Sequence, residues 1–135
     1  VARIIADADV PPSRLGVWGY DPDLYFLARR LPACGDFNSQ FSGGWVPGQD
    51  YAGYDRRIVP GMRETVLRQM IESSPEIFVD LNGASSVPLD EFVELHRYVE
   101  EHYQEIDRVY SSHFFGTGDV VIYRRRAPKS PQPPD

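Results

Sequence analysis

The sequence predicts a small three-layer, Rossmann-like α/β domain, with a mostly parallel sheet and a C-terminal antiparallel hairpin. Short runs rich in Val, Ile, Phe and Trp alternate with segments of helical periodicity. Strands that alternate with helices form parallel sheets with helices packed on their faces. Near the end of the chain, two β-rich runs flank Gly116-Thr117-Gly118. Such a pair of runs predicts a hairpin, which adds an antiparallel edge to the sheet.

Helices and strands alternate in the first part of the chain. The predicted elements are a helix over 2–8, a strand over 14–19, a helix over 22–31 and a short strand over 36–41. The second helix has the strongest start, because Asp21 is a good N-cap residue and Pro22 suits the first helical position. A long loop, rich in glycine and aromatic residues, follows up to residue 59. Long loops in small domains are often functional.

The second part of the chain continues the alternation. The predicted elements are a helix over 61–73, a strand over 76–81, a helix over 87–103 and hairpin strands over 106–115 and 119–126. The helix over 61–73 rests on an apolar stripe formed by Met62, Val66, Leu67, Met70 and Ile71. We expect one domain over 1–126 and a disordered tail over 127–135, which contains four prolines in nine residues. The chain opens on Val within a predicted helix, and we interpret it as a piece of a longer protein.

Charge and cysteine content narrow the possible partners. The net charge is −6, from 20 acidic and 14 basic side chains, which disfavours nucleic acid as a partner because a phosphate binder needs a dominant basic field. The basic run Arg124-Arg125-Arg126 is interpreted as a solvated strand end, with contact to an anionic surface as the alternative. Cys34 is the only cysteine, so an internal disulfide is excluded.

The stretch "GVWGYDPDLY" at residues 16–25 raises the question of a cofactor site. A phosphate cradle between a strand and a helix needs several glycines and free backbone N–H groups. Here Pro22 removes one N–H donor, and the carboxylate of Asp21 would repel an anion. We therefore predict a strand-to-helix corner that Trp18 and Tyr25 lock and from which Tyr20 faces a partner surface.

The residue types used in catalysis are present, but they are scattered. His96 and His102 are six residues apart, whereas two zinc ligands on one helix face are four apart. Cys34 has no base near it in the sequence. Asp80 ends a predicted strand, where open α/β sheets keep ligand groups; alternatively, it caps the turn at Asn82-Gly83. We predict no catalytic residue, no metal ligand and no cofactor in this chain.

The aromatic loop is the strongest candidate for a binding surface. Its rings can stack on sugars, rest on a membrane interface or fold back as a lid over the core. Together with the first corner, it supplies the candidate residues for a ligand or partner surface: Trp18, Tyr20, Asp21, Trp45, Tyr51 and Tyr54.

Several phrases of the chain resemble one family. They are "ARIIADADVPPSR", "VWGYDPDLYFLARRLPACGDF", "SSPEIFVDL", "LDEFVELHRYVEEHYQEI" and "VVIYRRR". Over residues 1–126 they resemble the C-terminal domain that follows the transmembrane helices of GT-C glycosyltransferases. These multi-span enzymes take sugars from polyprenyl-phosphate donors and include protein mannosyltransferases and the aminoarabinose transferase of lipid A. The chain departs from the family at "PACGDF", where related sequences often carry Ser-Arg before the aromatic residue.

The resemblance implies a non-catalytic domain on the extracytoplasmic face of the cell membrane, tethered by upstream transmembrane helices. The catalytic carboxylates of the family lie in an early loop outside this chain. The implied partners are the transmembrane part of the same polypeptide and a lipid-linked sugar or glycan acceptor. Two alternatives remain: a free-standing module that binds carbohydrate or another small ligand through the aromatic loop, and a small α/β transferase.

Overall fold

The computed structural model describes residues 1–8, 13–46, 52–81, 87–113 and 116–128. The strands are β1 (Leu15–Trp18), β2 (Ile77–Asp80), β3 (Tyr103–His113) and β4 (Gly116–Arg125). The helices are α1 (Ala2–Asp7), α2 (Pro22–Ala28), α3 (Gln40–Gly43), α4 (Met62–Ser73) and α5 (Val93–His102), with 3₁₀ turns at Tyr54–Arg57 and Leu89–Glu91. The predicted α/β class is confirmed.

The four strands form one sheet in the order β1-β2-β4-β3. β1 and β2 are parallel, whereas β4 pairs antiparallel with both β2 and β3. The prediction of a mostly parallel sheet is therefore wrong for the described strands. The reason is that the last strand inserts next to β2, so the hairpin supplies half of the sheet instead of adding an edge to it.

The predicted strand over 36–41 is also wrong. The Asp36 carboxylate accepts hydrogen bonds from the backbone N–H and the hydroxyl of Ser42, at 2.7 and 2.6 Å. These bonds curl the chain into a turn that leads into the short helix α3. Side-chain bonds of this kind compete with strand pairing, and residues 36–41 belong to none of the four strands of the described sheet.

Two further boundaries differ from the prediction. The helix predicted over 87–103 begins as a 3₁₀ turn, and Tyr103 begins β3 instead of ending the helix. Gly116 and Gly118 lie within β4, paired with His113 and Ser111. The turn predicted at Gly116–Gly118 is therefore wrong, and the hairpin strands are longer than predicted.

Alternate strand residues pack into two core clusters. The first cluster joins strand residues to α1 and α2, and its buried members include Ile5, Leu15, Leu24, Ala28, Ile77, Val79 and Ile122. The second joins the intervening strand residues to α4 and α5, and its buried members include Trp18, Val66, Met70, Phe78, Phe92, Leu95, Val99 and Tyr103. This alternation follows from the two-residue period of a strand. Within the described ranges, every helix is too short or too polar to span a membrane.

Candidate functional site at the carboxyl ends of β1 and β2

The connections that leave β1 and β2 diverge. After β1 the chain runs to α2 in the first core cluster, whereas after β2 it runs to α5 in the second. In open α/β sheets, ligands bind in the crevice where neighbouring connections leave on opposite sides. The carboxyl ends of β1 and β2 are therefore the first place to look for a site.

Trp18, the last residue of β1, is a core residue. Its exposure is 1%, its indole Nε1 donates to the Val87 carbonyl oxygen at 2.7 Å, and its ring lies 5.8 Å from that of Phe92. The ring that was a surface candidate is therefore inaccessible to a ligand. Trp18 instead holds the backbone that follows β2 against the end of β1.

The turn after Trp18 is engaged with its own neighbours. The Gly19 N–H donates to the Ser39 hydroxyl at 3.1 Å, so this amide is already used. Tyr20 is half-buried, and its ring meets that of Trp45 edge-on at 6.4 Å. Asp21 occupies the N-cap position of α2, but its side chain makes no capping hydrogen bond; the capping role expected for its carboxylate is not observed.

The described part of the aromatic loop packs on the body of the domain. Trp45 is 7% exposed. The Tyr54 hydroxyl donates to Glu91 Oε2 at 2.6 Å, and this hydrogen bond is the main cause of the raised pKa of the Tyr54 phenol. Arg57 Nε donates to the Gly44 carbonyl oxygen at 2.8 Å. Tyr51, the remaining candidate, lies outside the described residues.

A cavity of about 210 Å³ opens next to this crevice, on the α5 side of the sheet. We call it the Asp80 groove. Its polar lining consists of Asp80, Asp90, His96, Arg108 and Tyr123. Pro88 and Leu89 form one wall, and the β4 residue Val121 forms part of the floor.

Strand register explains how the floor of the Asp80 groove is assembled. Asp80 pairs with Val121 of β4, which in turn pairs with Arg108 of β3. Trp18 pairs with Asp80 on the other side. Paired residues share one face of a sheet, so Asp80 and Arg108 lie in one row across three strands, on the face that α5 covers.

The charges around the Asp80 groove are mostly negative. Arg108, its one arginine, donates to Glu105 at 2.8 and 2.9 Å and to Asp119 at 3.3 Å. His96 Nε2 lies 3.7 Å from Glu100 Oε1. Burial, followed by the Asp80 and Glu105 carboxylates, raises the pKa of the Tyr123 phenol. This phenol therefore stays protonated and neutral at physiological pH.

Cys34 lies elsewhere, in a shallow cavity of about 580 Å³ that Leu31 and Phe37 also line. Burial, followed by the Asp36 carboxylate, raises the pKa of its thiol to about 12. The thiolate is the nucleophilic form of cysteine. The environment of Cys34 therefore disfavours nucleophilic chemistry.

Sequence reasoning singled out Asp80 but not its neighbours in the groove. Arg108 and Tyr123 line the same groove as Asp80 only because β4 lies between β2 and β3. Nothing local in the sequence specifies that order. Two sequence features could have indicated the groove. Asp80 stands at the end of a buried strand, and the C-terminal hairpin was predicted to join the same sheet.

The described ranges contain no group of three or more His, Cys, Asp or Glu side chains placed to hold a metal ion. No protein-family model, no curated protein and no solved structure matches this chain.

Proposed function

We propose that this chain is a non-catalytic, extracytoplasmic accessory domain of a membrane glycosyltransferase that takes its sugar from a polyprenyl-phosphate donor. In this proposal, the domain packs on the transmembrane part of the same polypeptide and helps to shape the substrate cleft. The family resemblance over residues 1–126 motivates the proposal. The observation that carries it is the outward face of α2.

α2 turns large apolar side chains away from the core. Phe26 is 82% exposed and Leu27 is 60% exposed, and Leu31, just beyond the helix, is 68% exposed. The exposed cation Arg29 lies between them in the sequence. Exposed apolar side chains grouped on one short segment are typical of protein or membrane contacts, and a neighbouring cation suits the boundary with lipid headgroups.

The placement of α1 is compatible with such a contact. α1 and α2 pack against each other in the first core cluster. In the proposed parent protein, the transmembrane helices precede α1. The segment that enters from the membrane would then lie beside the exposed face of α2, so the same side of the domain would face the membrane part.

We also infer that the layers are Rossmann-like, with α1 and α2 on one face of the sheet and α4 and α5 on the other. The two core clusters support this inference, because alternate strand residues belong to different clusters. In a domain built in this way, α1 and α2 can dock on the transmembrane part. The Asp80 groove lies on the opposite face of the sheet.

Of the alternatives, a carbohydrate module built on the aromatic loop receives less support. Sugar-binding platforms need an exposed ring face, whereas Trp45 is buried against the domain. A nucleotide-linked transferase would need a phosphate-binding turn after β1. The Gly19 amide in that turn is already bonded to Ser39.

The test is sugar transfer by the full-length protein in membranes, with a polyprenyl-phosphate-linked sugar as donor. The double variant Phe26→Ser/Leu27→Ser removes the apolar face of α2. We expect transfer to fall by about tenfold or more, which corresponds to the loss of about 1.4 kcal/mol of productive docking. Both side chains are exposed, so thermal unfolding of the domain should stay unchanged.

The matched control is Ile71→Ser/Val93→Ser, which removes two exposed apolar side chains from α4 and α5 instead. Transfer by this control should equal that of the wild type. Equal losses in both double variants, or no loss in either, would rule out α2 as the docking face. A full-length protein that transfers no sugar would overturn the proposed function itself.

A further inference from the structure

The Asp80 groove has features that the accessory role neither uses nor explains. It is enclosed by three different parts of the chain: the end of β2, the 3₁₀ turn with the start of α5, and the β3–β4 hairpin. Its volume of about 210 Å³ is below the ~300 Å³ at which pockets for drug-sized ligands begin. The groove therefore suits a small molecule of a few heavy atoms.

The balance of charged side chains around the Asp80 groove decides which kind of small molecule it can bind. Asp80 and Asp90 line the groove, and three more carboxylates lie within 4 Å of the charged or ring nitrogens of its lining residues: Glu100, Glu105 and Asp119. Against them stands Arg108, which two of these carboxylates neutralise. The local field is negative, so it attracts a cation and repels a phosphate or carboxylate.

The walls indicate an organic cation. Asp80 is 5% exposed, so its carboxylate acts at low effective dielectric, where attraction for a cation is stronger than in water. The phenol ring of Tyr123 lies beside it, and aromatic rings attract ammonium groups that sit over their faces. Pro88, Leu89 and Val121 add apolar surface, which covers carbon atoms and offers nothing to a bare metal ion.

We propose that the Asp80 groove is a binding site for a small organic ammonium compound, whose charged nitrogen lies against Asp80 and whose carbon skeleton lies against Pro88, Leu89 and Val121. Asp90, at the exposed end, draws the cation in. Trp18 keeps the site formed, because its bond to the Val87 carbonyl oxygen holds the start of the wall segment in place. The proposal does not depend on the accessory role.

The experiment is an NMR titration of the 135-residue chain with cyclohexylamine, using cyclohexanol as the neutral probe of the same shape. We expect saturable shifts of the Leu89, His96, Val121 and Tyr123 amides with cyclohexylamine and none with cyclohexanol. Calcium chloride and inorganic phosphate should not produce the same saturable shifts. Equal binding of cyclohexanol, saturable binding of calcium at these amides, or no saturation with the amine would overturn the proposal.

Variants test the carboxylates. Asp80→Asn keeps the shape of the buried side chain and should weaken cyclohexylamine binding by about tenfold or more, since hydrogen bonds to charged groups are the strong ones. Asp90→Asn changes an exposed residue and can therefore be used if Asp80→Asn does not fold. We expect it to weaken cyclohexylamine binding about threefold, because it removes one partly screened charge. The control Glu94→Gln removes one charge from α5 outside the groove and should leave the affinity unchanged. An equal loss in Asp90→Asn and Glu94→Gln would show non-specific attraction and overturn the site.

Discussion

The two faces of the sheet are packed in different ways. The face that α1 and α2 cover is largely aliphatic, and Tyr25 is its only buried aromatic side chain among the described residues. The face that α4 and α5 cover carries five buried aromatic rings in the described core: Trp18, Phe78, Phe92, Tyr98 and Tyr103. Aliphatic side chains stabilise mainly through the area they bury, whereas Trp and Tyr also carry a polar tip that needs a partner.

These polar tips fasten the connections on both sides of β2. Trp18 donates to the Val87 carbonyl oxygen after the strand, and the Tyr103 hydroxyl donates to the Pro75 carbonyl oxygen before it, at 2.8 Å. The aromatic face thus fixes backbone segments as well as filling space. The Asp80 groove lies on this face, and one of the fixed segments forms its wall. Precise placement of polar groups follows from a fixed backbone.

The largest expected effect is a loss of stability, and it can be compared between the two faces with one buried residue from each. Trp18→Ala should lower the free energy of unfolding by about 4 kcal/mol and Ile5→Ala by about 3 kcal/mol, because both remove fully buried side chains. Urea unfolding measures both. In native-state hydrogen exchange, only the Trp18 variant should speed the Glu91 and Phe92 amides relative to the rest of the domain, since only Trp18 holds Val87.

The milder variant Trp18→Phe keeps a ring and removes the indole N–H. It should speed the same two amides at a smaller cost in stability. If Ile5→Ala accelerates Glu91 and Phe92 to the same extent, the wall segment depends on overall stability alone, and the distinction between the faces fails.

A smaller effect is expected where the aromatic loop joins the α4/α5 face. Gly44 and Gly53 both have left-handed backbone, with φ of 73° and 72°. A Cβ at Gly44 would collide with the Tyr54 carbonyl oxygen, whereas a Cβ at Gly53 would meet nothing within 4 Å. Gly53→Ala should cost about 1 kcal/mol from backbone strain alone. Gly44→Ala should cost about 3 kcal/mol, because the steric clash adds to the strain.

Thermal or urea unfolding of the two variants gives the difference. Since both alanines meet the same backbone strain, the excess cost at Gly44 reports how firmly the chain around Tyr54 is held against α3. Equal costs at the two positions would mean that this part of the loop yields to the clash and is held loosely.

The local elements were predictable from the sequence wherever one signal dominated. Pro22 after Asp21 fixed the start of α2, and the stripe of Val66 and Met70 identified α4. The failures have a common cause. The Asp36–Ser42 hydrogen bonds and the position of β4 in the sheet both depend on contacts that form only in the folded chain. Residue types alone do not specify these contacts.

The candidate site was predictable only in part, for the same reason. The position of Asp80 at the end of a buried strand pointed to the correct edge of the sheet. Arg108 and Tyr123 could not be assigned, because a different strand order would place them elsewhere. Trp18 was assigned both to the locked corner and to the candidate surface, because a Trp-Gly pair at a strand end has the same sequence whether the ring points to solvent or to the core.

The smallest expected effect concerns Cys34, which packs at the margin of the aromatic face. Its thiol pKa rises from the ordinary 9.0 to about 12 in the folded state. A group whose pKa is raised by folding contributes stability that is complete below its unfolded pKa and is lost as the pH rises toward the folded pKa. Between pH 8 and pH 10, the wild type should therefore lose about 1 kcal/mol relative to Cys34→Ala. Comparison with Cys34→Ala cancels the contributions of the buried tyrosines, whose pKa values are also raised.

A constant difference between the two proteins across this range, together with rapid labelling of the native thiol by a disulfide reagent at pH 8, would show that Cys34 is solvated and that the aromatic face is open at this margin.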